Sequence, residues 1–267
     1  MAGRWTTTGV ALIGLAAVLA AVLAGGPALA QAQVGVPGCS DDVPVRATRE
    51  AITFESRGRS IRAHLYSPRG EANGEGIVLL HGGTGFEMNS ILFDAHAIQL
   101  ASRGYRVILP AYFDAEEADS RRRTVAARAW RQVALDAAEA LAAEPGMTRA
   151  RVALWGYSRG AGVGVNAATS EGSGVRSAIL VAGGGAVEED LTGRGLSVLM
   201  LHARVDEAVP VRATLRLADD LREAGAAVEV QELAFDGHQY DLPTWCAAFS
   251  ATRTFLEGRR EAVDGPA

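Results

Sequence analysis

Val152-Ala153-Leu154-Trp155-Gly156-Tyr157-Ser158-Arg159-Gly160-Ala161-Gly162-Val163-Gly164 is the stretch that decides the fold. Its first four residues form a short apolar run of the kind that fills a buried strand. Gly156-Tyr157-Ser158-Arg159-Gly160 then turns the chain sharply. The small residues that follow suit a helix packed tightly against a strand. Gly-x-Ser-x-Gly arises by chance in glycine-rich chains, so the pattern of strand, turn and helix carries most of the weight. In that setting the serine hydroxyl stands exposed at the sheet edge, over a helix N-terminus.

Working outward, apolar runs alternate with helical stretches from Ile52 onward. Ala51–Glu55 and Ile61–Tyr66 read as an antiparallel pair turning at Arg57-Gly58-Arg59. Further strands are expected at Ile77–Leu80, Tyr105–Pro110, Ser177–Val181, Leu196–His202 and Val228–Leu233. Helices are expected at Asn89–Arg103, Thr124–Ala143, Arg159–Thr169, Val211–Glu223 and Pro243–Glu257. Val125, Trp130, Val133, Ala137 and Leu141 share one helical face. This alternation predicts an α/β fold, a mostly parallel sheet with helices on both faces. The reading divides the chain into a leader at 1–30, an N-terminal arm at 31–50, one catalytic domain at 51–258 and a tail at 259–267.

A serine hydroxyl is a poor nucleophile and needs a base. When such a serine sits on a strand-to-helix turn, the acid and then the histidine follow it in the chain. Among the five histidines only His202 and His238 lie beyond Ser158. His202 falls inside a strand and reads as a core-edge residue. His238 lies in a loop after the last strand, where a general base has the freedom it needs. Asp206, after the preceding strand, is the preferred acid, placed to accept from the second ring nitrogen of His238. Its rivals are Glu207 and Asp236, and its plainer reading is a helix cap before Val211. Backbone N–H groups of Arg159 and Gly83, with Thr84 next in line, are the candidate oxyanion hole. The Arg159 side chain is expected at the helix surface, outside the chemistry. Phe86, Tyr112, Phe113 and Tyr157 are candidate pocket-lining residues that could equally belong to the core.

Taken together, His81-Gly82-Gly83-Thr84-Gly85, Gly156-Tyr157-Ser158-Arg159-Gly160, Asp206 before Val209-Pro210, and Gly237-His238 resemble the dienelactone-hydrolase-like branch of the α/β-hydrolases. The resemblance covers about Ile52 to Leu256. It implies the α/β-hydrolase fold, an eight-stranded sheet, and hydrolysis of a carboxylic ester or lactone through an acyl-enzyme, with no cofactor. Dienelactone hydrolases proper use a cysteine nucleophile. Here the elbow carries Ser158, and neither cysteine stands near it. A general esterase is therefore the reading preferred over dienelactone specificity. Exported serine relatives include acyl-peptidases and polyester-cleaving enzymes, so amide and polymer substrates stay open.

Composition narrows the alternatives. All 26 Lys and Arg positions are arginine, which removes a Ser–Lys dyad, a Schiff-base lysine and a P-loop lysine. A formal charge of −5 gives no support to nucleic-acid binding. Arg121-Arg122-Arg123 reads as the solvated start of a helix. No His-Glu-x-x-His or clustered metal-ligand spacing occurs, which leaves no metal site expected. A non-catalytic binding protein would not need every triad position filled.

The N-terminus reads as an export signal. Arg4 precedes the apolar run Gly9–Ala24, Gly25-Gly26-Pro27 breaks it, and Ala28-Leu29-Ala30 has the form of a signal-peptidase site. Periplasmic or secreted location is expected, with no stable membrane span after cleavage. In an oxidising compartment the two cysteines, Cys39 and Cys246, are a disulfide candidate; two unpaired thiols are the alternative.

Overall fold

The computed structural model describes residues 38–115, 123–187 and 189–264. The expected signal sequence, the Arg121-Arg122 pair and the Val125 side chain lie outside what is described.

Eight strands form one sheet: β1 (Ala47–Ser56), β2 (Arg59–Pro68), β3 (Gly76–Leu80), β4 (Arg106–Pro110), β5 (Val152–Tyr157), β6 (Ser177–Val181), β7 (Ser197–Val205) and β8 (Ala227–Asp236). Their order across the sheet is β1-β2-β4-β3-β5-β6-β7-β8. β2 runs antiparallel to both β1 and β4, and every pairing from β4 through β8 is parallel. Among the described residues, five α-helices pack on this sheet: α1 (Phe86–Ser102), α2 (Arg123–Ala142), α3 (Arg159–Thr169), α4 (Val211–Glu223) and α5 (Leu242–Asp264).

Both faces of the sheet are covered, so the central strands are apolar at nearly every position instead of alternating with polar residues. In β3, Val78 and Leu80 face a core shared with α2, α3 and α4, through Val133, Val163 and Leu217. Ile77 and Leu79 face the opposite core, with Phe93 of α1 and Trp245 and Phe249 of α5. This period-two division repeats across the parallel strands.

The expected elements recur at nearly the same places, and α3, β6 and α4 match residue for residue. The differences lie at the ends. β1 begins at Ala47, so the last residues of the expected arm already belong to the sheet. β7 runs on past His202 to Val205, and a bulge between Ala203 and Val205 keeps it paired to β8. α1 starts at Phe86, three residues before the expected Asn89, because Gly85, at φ 91°, provides the turn into the helix. α5 continues to Asp264, past the expected boundary at 258.

Cys39 and Cys246 are joined as a disulfide. The arm from 38 to 46 also docks through side chains. Gln99 of α1 accepts from the Val43 N–H and donates to its carbonyl, both at 2.9 Å. Asp41 pairs with Arg253 of α5. Among the described residues no helix is long and apolar enough to cross a membrane.

Candidate active site

A parallel sheet brings the C-terminal ends of its strands to one edge, and the loops leaving that edge meet there. β3 ends in His81–Gly85, β5 in Ser158, β7 in Asp206 and β8 in the loop holding His238.

Ser158 has φ 54° and ψ −115°, a strained conformation for a residue with a side chain. Its surroundings hold it there. The Ser158 N–H donates to the Val181 carbonyl at 2.8 Å. A Cβ on Gly156 would lie 2.2 Å from the Gly160 carbonyl oxygen, and one on Gly160 would lie 2.1 Å from that of Leu80. Both glycines are therefore required for β5 to turn into α3 at this distance from β3.

The serine Oγ lies 2.8 Å from His238 Nε2, and His238 Nδ1 lies 2.7 Å from Asp206 Oδ2. Asp206 Oδ1 accepts from the N–H groups of Ala208 and Val209, at 2.9 and 2.8 Å. The carboxylate, 2% exposed, is thus fixed by its own loop and offers its second oxygen to the ring. A carboxylate in that position places the proton on Nδ1 and leaves Nε2 free to accept from the serine. The cap before α4 is Pro210, so Asp206 does not serve there. Asp236 pairs with Arg204 at 3.1 Å, Glu207 is exposed, and His202 is buried in β7 with Nδ1 against the Ala203 carbonyl.

The β3 loop is shaped by residues around it. Asn89 accepts from the Gly82 N–H at 3.1 Å and donates to Thr84 Oγ1 and the Gly85 carbonyl, at 2.6 and 2.7 Å. His81, fully buried, stacks on Tyr112 with ring centroids 4.0 Å apart, and the Tyr112 hydroxyl donates to the His81 carbonyl at 2.8 Å. Burial pushes the His81 imidazole down to about 4. Asn89 holds the Thr84 hydroxyl, and Gly83, not Thr84, lines a cleft of about 600 Å³ that also contains Ser158 and Arg159. Arg159 is the first residue of α3, so its N–H has no partner within the helix.

The Arg159 side chain departs from the sequence expectation, and Tyr157 takes the core alternative left open for it. The Arg159 guanidinium lies over the Trp130 ring, 5.6 Å from its centroid, beside Gly83 in the same cleft. It belongs to the site's wall as well as to the helix surface. Tyr157 is buried. Its hydroxyl donates to the His238 carbonyl at 2.5 Å, and its ring stacks against the imidazole, centroids 5.3 Å apart. Burial raises the Tyr157 phenol well above its ordinary value, which keeps it a donor. Nothing in the sequence marks Asn89, Trp130 or the Tyr157 hydroxyl for these roles; each acts through a partner distant in the chain. Phe86 and Tyr112 fall in the core. A larger cavity, about 780 Å³, lies between β8 and α5 and contains none of the triad candidates.

The sequence pattern of the dienelactone hydrolase family matches residues 61–241. The chain belongs to that family. Membership makes it a hydrolase of ester type and agrees with the eight-stranded sheet. No curated protein matches it in sequence. Among solved structures, this dienelactone hydrolase relative is similar to a dienelactone hydrolase-like promiscuous phosphotriesterase from metagenomic libraries, at 18% identity and a TM-score of 0.65, over 80% of this chain and 98% of that one. An arylesterase matches at 15% identity and a TM-score of 0.66, over 81% and 86% of the two chains. A thermostable esterase from Pseudomonas putida matches at 15% identity and a TM-score of 0.62, over 80% and 84%. At these identities the likeness is one of fold.

Proposed function

We propose that this protein is an exported serine esterase that cleaves a carboxylic ester or lactone through an acyl-enzyme. The observation that carries the reading is the unbroken relay from Ser158 Oγ through His238 to Asp206, with both contacts under 3 Å. Ser158 attacks the carbonyl carbon while His238 Nε2 takes its proton. The N–H groups of Gly83 and Arg159 receive the negative charge that develops on the carbonyl oxygen. His238 then protonates the leaving alcohol, which departs and leaves Ser158 acylated. Water, deprotonated by the same nitrogen, releases the acid. Asp206 holds the ring in the required tautomer and stabilises the imidazolium formed at each step. Export is supported by the Arg4-to-Ala30 leader pattern and agrees with a disulfide, which persists in oxidising compartments.

Covalent labelling by a fluorophosphonate probe, read beside hydrolysis of p-nitrophenyl esters of graded chain length, tests this reading. Wild type should label and turn over, and Ser158→Ala should do neither. Asp206→Asn should retain the fold and lose about 10³- to 10⁴-fold in kcat through the wrong tautomer. Folded wild-type protein that neither labels nor hydrolyses any ester would overturn it.

A further inference from the structure

The cleft at Ser158 does not end at α3's first turn. Ser158, Gly162, Asn166 and Ser170 follow one another at four-residue spacing along one face of the helix. The first three line the 600 Å³ cleft, and Asn166 and Ser170 line a second cavity of about 420 Å³. Ala127, Asn166 and Gly185 border both, so the two adjoin along α3. At 1.5 Å per residue the floor runs about 18 Å from Ser158 to Ser170. The middle is lined by Ala127, Gly162, Val163 and Gly185, which offer no charge.

The far end is basic. Arg128 and Arg131 of α2 line it, and among the described residues neither makes an ion pair. Arg131 Nε is buried and has no hydrogen-bond partner. A guanidinium that lines a cavity with no carboxylate partner is available to an oxyanion from outside. Arg194, outside the lining, donates to the Thr169 and Ser170 carbonyls and fixes the end of α3 there. Among the described residues the acid lining this cavity is Glu189, which is exposed.

We propose that this basic end is a second subsite, binding a terminal oxyanion, carboxylate or phosphate, at the far end of an elongated ester whose hydrocarbon spacer lies along α3. The planar arginine fork suits either oxyanion. The proposal rests on Ser158 being the nucleophile, and it adds the substrate class: esters carrying an anionic group roughly ten to fourteen chain atoms from the scissile bond.

The test compares kcat/KM for mono-p-nitrophenyl decanedioate, with its anion on the acyl side, and 10-acetoxydecanoate, with its anion on the alcohol side. Each is set against its methyl-capped neutral counterpart, and 10-acetoxydecyl phosphate is run beside the carboxylate. At least one anionic substrate should be preferred over its neutral counterpart by about fivefold to tenfold at low salt. In the double variant Arg128→Gln/Arg131→Gln the preference should fall to within about twofold, while p-nitrophenyl butyrate hydrolysis and the thermal melt stay near wild type. Equal rates for anionic and neutral substrates, or a preference that survives the double variant, would overturn the subsite. Failure of wild type on butyrate and on the fluorophosphonate would instead sink the esterase reading beneath it.

Discussion

Ser158, His238 and Asp206 come from three different strand ends, and Tyr157 adds a contact that positions the imidazole. Its hydroxyl is the donor on the His238 carbonyl and so sets where the loop carries the imidazole. Tyr157→Phe removes that one bond and leaves the ring stacked. Displacement of a catalytic group by a fraction of an ångström lowers rate more than binding, so kcat should fall about tenfold with KM little changed. The melt should fall by only a few degrees, because one buried hydrogen bond is worth about 1 kcal/mol. A KM rise with unchanged kcat would refute the positioning role. The residue types of the triad candidates could be found in the chain from scarcity alone: few histidines, no lysine, and one serine on a strand-to-helix turn. Tyr157 could not, since a tyrosine beside a buried strand end serves equally well as packing.

Among the elements, the tightest junction joins β3, β5 and α3. Gly160 brings the first turn of α3 against the backbone of Leu80, where a methyl group would overlap the carbonyl oxygen at 2.1 Å. Gly160→Ala should therefore force α3 away from the sheet. The expected cost is about 3 kcal/mol or more, with loss of fluorophosphonate labelling. A folded, fully active Gly160→Ala protein would show that the elbow tolerates a different packing. The same junction explains why α3 could be delimited correctly from sequence: its start is set by the strained serine and its small residues by close contact. Helix ends outside this junction, at α1 and α5, shifted by several residues.

For the molecule as a whole, two features tie distant segments together. The disulfide links the arm to α5 across 207 residues. A bridge closing so long a loop restricts the unfolded chain, and its removal by Cys39→Ser/Cys246→Ser should cost about 2–5 kcal/mol. Equal denaturation midpoints with and without the bridge would show that Gln99 and Arg253 alone hold the arm. The second feature is a pair of buried histidines, His81 just after β3 and His96 within α1. His81 stacks on Tyr112 and His96 on Phe249, and burial lowers each imidazole from 6.5 to about 4. Between those values the unfolded chain binds more protons than the folded one. Stability is therefore full above about pH 6.5 and falls as pH drops toward 4, by up to about 1.4 kcal/mol per pH unit for each histidine. Denaturant melts across that range should show this acid-side loss, reduced in His96→Gln. A flat profile would mean that both rings remain uncharged in the unfolded state too.

The sequence alone determined the alternation of strands and helices, the elbow, and which serine, histidine and acid were available. These are local matters, set by hydrophobic period, by glycine's freedom and by residue type. Only the tertiary structure decided strand order, the meeting of Ser158, His238 and Asp206 at one sheet edge, Arg159's place in the cleft wall and the adjacency of cleft and basic cavity. Each depends on distances between segments far apart in the chain. Such distances follow from how two cores pack against one twisted sheet, which no local pattern records.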